Sequence, residues 1–143
     1  MRMVKKMILS LGALFALLIG GVLISGLIWP RINDVKTGDT PEYPDLQPQK
    51  FSVAGVRAFD ASLATAHDLG WEIVHESREA GEIEAVDTSK IFRFKDDVTI
   101  TIKPGTGESC SVYVHSRSRV GKGDLGANAR RIILFQTELA KRL

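Results

Sequence analysis

The chain has 143 residues, 44% hydrophobic and 25% charged, with a formal net charge of +2. Three of its nineteen Lys and Arg lie before residue 7, so sixteen bases stand against all seventeen acids beyond it, a balance of −1 that argues against a nucleic-acid partner. A single cysteine, Cys110, excludes an intrachain disulfide.

Residues 1–6 form a basic start carrying Arg2, Lys5 and Lys6. From Met7 to Trp29 the chain runs for twenty-three residues without Asp, Glu, Lys, Arg or His. At 1.5 Å per residue that is roughly 34 Å of helix, against a hydrocarbon core of roughly 30 Å. The expectation is a single uncleaved N-terminal transmembrane helix over 7–29, with the membrane bilayer as its partner. The basic start predicts a cytoplasmic N-terminus and a C-terminal domain on the periplasmic or extracytoplasmic side of the inner membrane. A cleaved signal peptide is the rival, but Leu23-Ile24-Ser25 and Ile24-Ser25-Gly26 are poor small-x-small sites. Gly12, Ala16 and Gly20 recur every fourth residue and offer a strip for other membrane proteins, although ordinary lipid-facing composition explains it too.

Residues 30–50 hold four of the five prolines, Pro30, Pro41, Pro44 and Pro48, and read as a tether of up to roughly 60 Å in polyproline conformation. The domain is then 51–143, and a chain beginning near Gln47 is expected to fold alone. Within it, Val56, Phe59, Leu63 and Ala66 recur at helical spacing, with Ser52 as N-cap and Gly70 as stop. The period then becomes two. Strands are predicted around Trp71–His75, Glu82–Thr88, Val98–Lys103 and Ser109–Ser116, with Pro104-Gly105-Thr106-Gly107 between the last two. A final helix starts at Asp124, a good N-cap, with Leu125, Ala129, Ile132, Phe135 and Leu139 as its inner stripe.

This order predicts an α+β domain: a four-stranded antiparallel meander sheet with two helices on one face. The expected core is Phe59, Leu63, Ile73, Ile83, Val98, Ile100, Val112, Val114, Ile132, Phe135 and Leu139. Cys110 shares the apolar side of its strand and reads as a buried, inert thiol. Seven acids between Asp68 and Asp87 and seven bases from Arg117 onward polarise the domain, zones that neutralise partly if folding brings them together.

A hairpin loop over 104–108 sets Thr99 against Tyr113, Asp97 against His115, Lys95 against Arg117, and Arg93 against Arg119, all on the open face. A shift of two residues keeps that facing, whereas a shift of one reverses it. Stacked cations need a counter-charge, so the candidate anion site comprises Arg93, Arg117 and Arg119, with Asp97, Asp124 and Asn128 beside them. The alternative for the same residues is a salt-bridged fastening. Strict alternation places Asp96 inward with Phe92, Phe94 and Val98, a conflict that a bulge at Asp96-Asp97 would relieve.

The polar loop from Ser116 to Asn128 leads into a helix N-terminus but lacks the spacing of a phosphate-binding P-loop. His67, His75 and His115 have no metal-ligand spacing, no nucleophile elbow exists, and neither a catalytic residue, a metal nor a cofactor is assigned.

The runs Ile91-Phe-Arg-Phe-Lys-Asp-Asp-Val98, Ser116-Arg-Ser-Arg-Val-Gly121 and Asp124-Leu-Gly-Ala-Asn-Ala-Arg-Arg-Ile132 resemble the uncharacterised domain of unknown function 1499 family. The likeness extends from Tyr43 to the C-terminus. Phe94, Asp96, Asp97, Ser116, Arg117, Ser118, Arg119, Gly121, Asp124, Leu125, Gly126 and Asn128 match its characteristic positions, and Lys95 stands where the family has proline. The resemblance implies a small exported or membrane-associated domain and supplies no reaction. The expected function is a membrane-tethered binding or assembly module acting through its Arg-rich sheet end. The alternatives are a small hydrolase centred on His115, Asp97 and Asp124, and a structural accessory subunit of a membrane complex.

Overall fold

Alternation between Glu72 and Ser118 builds the expected meander: β3 (Glu72–Ser77), β4 (Glu82–Thr88), β5 (Lys95–Pro104) and β6 (Cys110–Ser118), each antiparallel to the next. The computed structural model describes residues 2–143. Met1 and the side chains at 2–6, 9, 22, 23, 25 and 26 lie outside the described residues, and with them the basic start and the cleavage-site candidates.

Two helices, α2 (Gly55–Asp68) and α3 (Ala127–Ala140), cover one face. Against them lie Ile83, Ala85, Val98, Ile100, Ile102, Val112 and Val114, all buried. Phe59, Ile132, Phe135 and Leu139 complete the core from the helices, and Trp71 stacks on Phe135 with ring centroids 5.5 Å apart. Leu63 and Ile73 pack at its margin. Cys110 is buried within it, and burial pushes its thiol pKa up, as befits an inert position.

The sheet has six strands and not four. Two three-residue strands from the segment read as a tether, β1 (Asp34–Lys36) and β2 (Gln49–Phe51), both pair with the outer edge of β6. Residues 30–50 are therefore not a free linker. Val35 is fully buried, Leu46 is buried, and the Thr37 hydroxyl accepts a 3.0 Å bond from the Val114 amide. The prolines shape the connection between the two strands, where Gly38, at φ 75°, donates its N–H to the Leu46 carbonyl at 2.8 Å. The physical reason is the edge: β6 presents unpaired N–H and C=O groups that another strand must cap.

The N-terminal transmembrane helix is also corrected. Helix α1 spans Arg2–Ile28, yet among the described residues no helix is long and apolar enough to cross a membrane. Gly12 and Gly20 of the small-residue strip face open space.

Local starts differ as well. Helix α2 begins at Gly55 behind Ala54, with no side-chain cap, so Ser52 is not its N-cap. Helix α3 begins at Ala127, but Asp124 still satisfies its first turn: its carboxylate accepts from the Gly126 and Asn128 amides, both at 2.8 Å. Between them Leu125 (φ 52°) and Gly126 (φ 77°) both adopt the left-handed conformation. Gly126 is required there twice over, since a Cβ would lie 2.4 Å from the Trp29 ring.

Candidate functional site

The β5–β6 register is offset by two residues from the expected one: Asp97 opposes Arg117, Thr99 opposes His115, and Thr101 opposes Tyr113. Facing is preserved, so the open face carries the anticipated side chains with different neighbours. Arg119 forms a forked bond to Asp97, with Nη2 to Oδ1 at 2.6 Å and Nε to Oδ1 at 2.9 Å. That hydrogen bond raises the pKa of the guanidinium above its ordinary value. Arg117 approaches Asp34 of β1 at 3.8 Å, and His115 Nε2 lies 2.7 Å from the same carboxylate. His115 lines a shallow groove of about 410 Å³ floored by Thr99, Thr101 and Tyr113.

The expected hydrolase centre does not assemble. The carboxylate beside His115 is Asp34, Asp97 is engaged by Arg119, and Asp124 caps α3. Arg93 lies on the β4–β5 loop in the left-handed conformation (φ 57°), outside the β5–β6 pairing that holds Arg117. Among the described residues no group of three His, Cys, Asp or Glu is arranged to hold a metal ion.

The more consequential cluster lies on the other face of the sheet, under α3. No bulge displaces Asp96. It pairs in register with Ser118, points inward as strict alternation requires, and is 7% exposed. Asp87 of β4 lies directly opposite it. Two adjacent inward carboxylates would repel. Arg131, one turn into α3 with only 10% of its side chain exposed, places its guanidinium across both. Its Nε donates to Asp87 Oδ2 at 2.7 Å and its Nη2 to Asp96 Oδ2 at 2.5 Å. Its Nη1 donates to Ser116 Oγ at 3.0 Å and to Asn128 Oδ1 at 2.8 Å.

Asn128, fully buried, extends the network. Its Oδ1 also accepts from Ser116 Oγ at 2.6 Å, while its Nδ2 donates to Ser118 Oγ at 2.9 Å and to the Asn33 carbonyl at 3.2 Å. The Asn33 side chain in turn donates to the Gly121 carbonyl at 2.5 Å. One connected set of bonds therefore fastens β4, β5, β6, α3, the chain before β1 and the β6–α3 loop.

Of the six candidate residues, Asp97, Arg117 and Arg119 share the open face, Asp124 and Asn128 belong to the network under α3, and Arg93 belongs to neither. Arg131 and Asn33 were missed. The signal for Arg131 was present: an inward Asp96 needs a buried cation, and Arg131 lies beside Ile132 on the inner side of the last helix.

The two clusters predict opposite responses. Arg117→Gln with Arg119→Gln removes partners whose side chains are 65% and 47% exposed, so urea denaturation is expected to show a loss of no more than about 1 kcal/mol per pair. A larger loss would make the open-face pairs part of the fastening.

Polarisation along the sequence is partly neutralised by folding. Asp87 meets Arg131 and Asp68 meets Arg142, one pair buried and one at the surface.

Among known proteins, no curated protein matches the chain. Of solved structures, the chain is similar to the crystal structure of TTHA0849 from Thermus thermophilus, at 11% identity and a TM-score of 0.39, over 76% of this chain and 95% of that one. Residues 28–139 match a family described as "Protein of unknown function (DUF1499)". That range takes in β1, β2 and every residue of both clusters, and the chain belongs to this family of unknown function.

Proposed function

We propose that the protein is a binding or assembly module whose contact surface is the end of the sheet formed by the β4–β5 loop (89–94) and the β6–α3 loop (119–126). The observation that carries this reading is what the Arg131 network holds in place. A buried charge cluster contributes little net stability compared with an apolar core of the same volume, yet it fixes geometry. Here it fixes the roots of both loops. Arg119 also donates its amide to the Lys95 carbonyl at 3.2 Å, joining one loop to the other.

Of the arginines first assigned to an anion site, Arg117 and Arg119 are engaged by Asp34 and Asp97. Cations at this end without an ion-pair partner among the described residues include Lys90, Arg93, Lys95 and Lys122, with Arg31 and Arg130 beside the β6–α3 loop. A contact surface that attracts an anionic partner thus lies at the loop tips and not on the open face.

Cysteine footprinting in cells tests this. In a Cys110→Ser background, Ile91→Cys and Val120→Cys are expected to react more slowly with a thiol reagent in the host cell than in the purified chain. Glu76→Cys, on the exposed edge strand β3, is expected to react equally in both settings. Equal reactivity of the loop positions in both settings would overturn the assignment.

A further inference from the structure

The β4–β5 loop closes tightly: the Ser89 amide donates to the Phe94 carbonyl at 2.8 Å, the Arg93 amide to the Ser89 carbonyl at 3.1 Å, and the Phe94 amide to Ser89 Oγ at 2.9 Å. That closure leaves Ile91 and Phe92 at the apex, 83% and 72% exposed. Phe94, half exposed, stacks behind Phe92 at 5.6 Å between centroids. Three exposed cations, Lys90, Arg93 and Lys95, flank and interleave this apolar tip along the chain, and residues 89–95 contain no acid. The neighbouring loop repeats the composition, with exposed Val120 and Leu125 around Lys122.

Large apolar side chains exposed at a rigid apex are unfavourable in water and mark a contact surface. The composition names its partner. An exposed apolar tip flanked by cations on one loop matches a bilayer surface, where anionic headgroups overlie a hydrocarbon layer. The chain leading to α1 leaves from the same end, with Trp29 beneath the Arg130 guanidinium at 4.9 Å and beside Gly126.

Resting on the reading of the loop end as contact surface, we infer that the β4–β5 loop inserts Ile91 and Phe92 into the surface of an anionic lipid bilayer while Lys90, Arg93 and Lys95 engage the headgroups. The contact requires no membrane-crossing segment.

The test uses the full chain in a Cys110→Ser background, with a polarity-sensitive dye on Ile91→Cys or, at the opposite end of the sheet, on Glu108→Cys. Vesicles of phosphatidylcholine with and without phosphatidylserine are compared. The dye at 91 is expected to shift to the blue and to be quenched by brominated acyl chains on phosphatidylserine vesicles alone, and added salt reverses both changes. The dye at 108 is expected to stay in water. Lys90→Gln with Lys95→Gln is expected to raise the lipid concentration needed by roughly fivefold per cation, or about twenty-five-fold for the pair. A dye at 91 that stays in water, or responds equally to neutral vesicles, overturns the lipid assignment. Footprint protection at 91 in cells would then leave the contact surface standing with a different partner, whereas loss of both signals would remove both readings.

Discussion

Arg131→Met in the full chain is expected to lower folding stability by about 3–5 kcal/mol, because it leaves Asp96 and Asp87 facing each other beneath α3 without a counter-charge. Ser116 and Asn128 lose a donor in the same step. Against a total stability of about 5–15 kcal/mol for a domain, that is a large fraction. At about 2 kcal/mol per molar urea the midpoint should fall by roughly 2 M. Trp71, stacked on Phe135 in the core, provides the fluorescence signal. A loss under about 1 kcal/mol would mean that water or relaxation replaces the guanidinium, and the network would no longer explain how the two loops are held.

Removal of residues 1–46 is expected to be as damaging, contrary to the sequence-based expectation that a chain beginning near Gln47 folds alone. The deletion takes away Val35 and Leu46, each contributing about 1.5–3 kcal/mol through burial. It also takes away the Asn33 carbonyl, which accepts from the Ser118 amide at 2.9 Å and from Asn128, and the Ile32 carbonyl, which accepts from the Asp124 amide at 3.0 Å. With β1 gone, most of the outer edge of β6 is uncovered and free to pair with another molecule. Thermal unfolding followed by circular dichroism should lose its cooperative transition, and size-exclusion chromatography should show aggregates. A sharp transition with a monomeric profile would restore the tether reading.

The fates of particular residues show what was legible. Ile83, Val98, Ile100, Val112 and Val114 alternate cleanly on one face, and all are buried as expected, since period-two burial reads directly from a strand covered on one side. Strands β1 and β2 were invisible because three residues are too short to display a period, and the prolines before and between them point to a loop. Phe92 and Phe94 were expected inward by extending β5 backwards through residues that instead close a turn, which exposes both. The hairpin register slipped by two because the last pair is Pro104 with Cys110, so both limits of the loop lie one residue later than the assumed 104–108. Asp96 is the instructive case. Alternation placed it inside correctly, and the bulge invoked to remove it assumed that a buried carboxylate had no partner. The partner came from a helix thirty-five residues later, which no local pattern reveals.

Because β1 pairs with β6 through Asp34 and Arg117, the first strand in the chain closes the edge left by the last. The meander from β3 to β6 assembles from neighbours joined by short turns, whereas the β1–β6 ladder must close a loop of about eighty residues. During synthesis the segment carrying β1 therefore waits, unpaired, until Ser118 has left the ribosome. Throughout that delay it is β1, with its own N–H and C=O groups unpaired, that is open to association with a neighbouring chain.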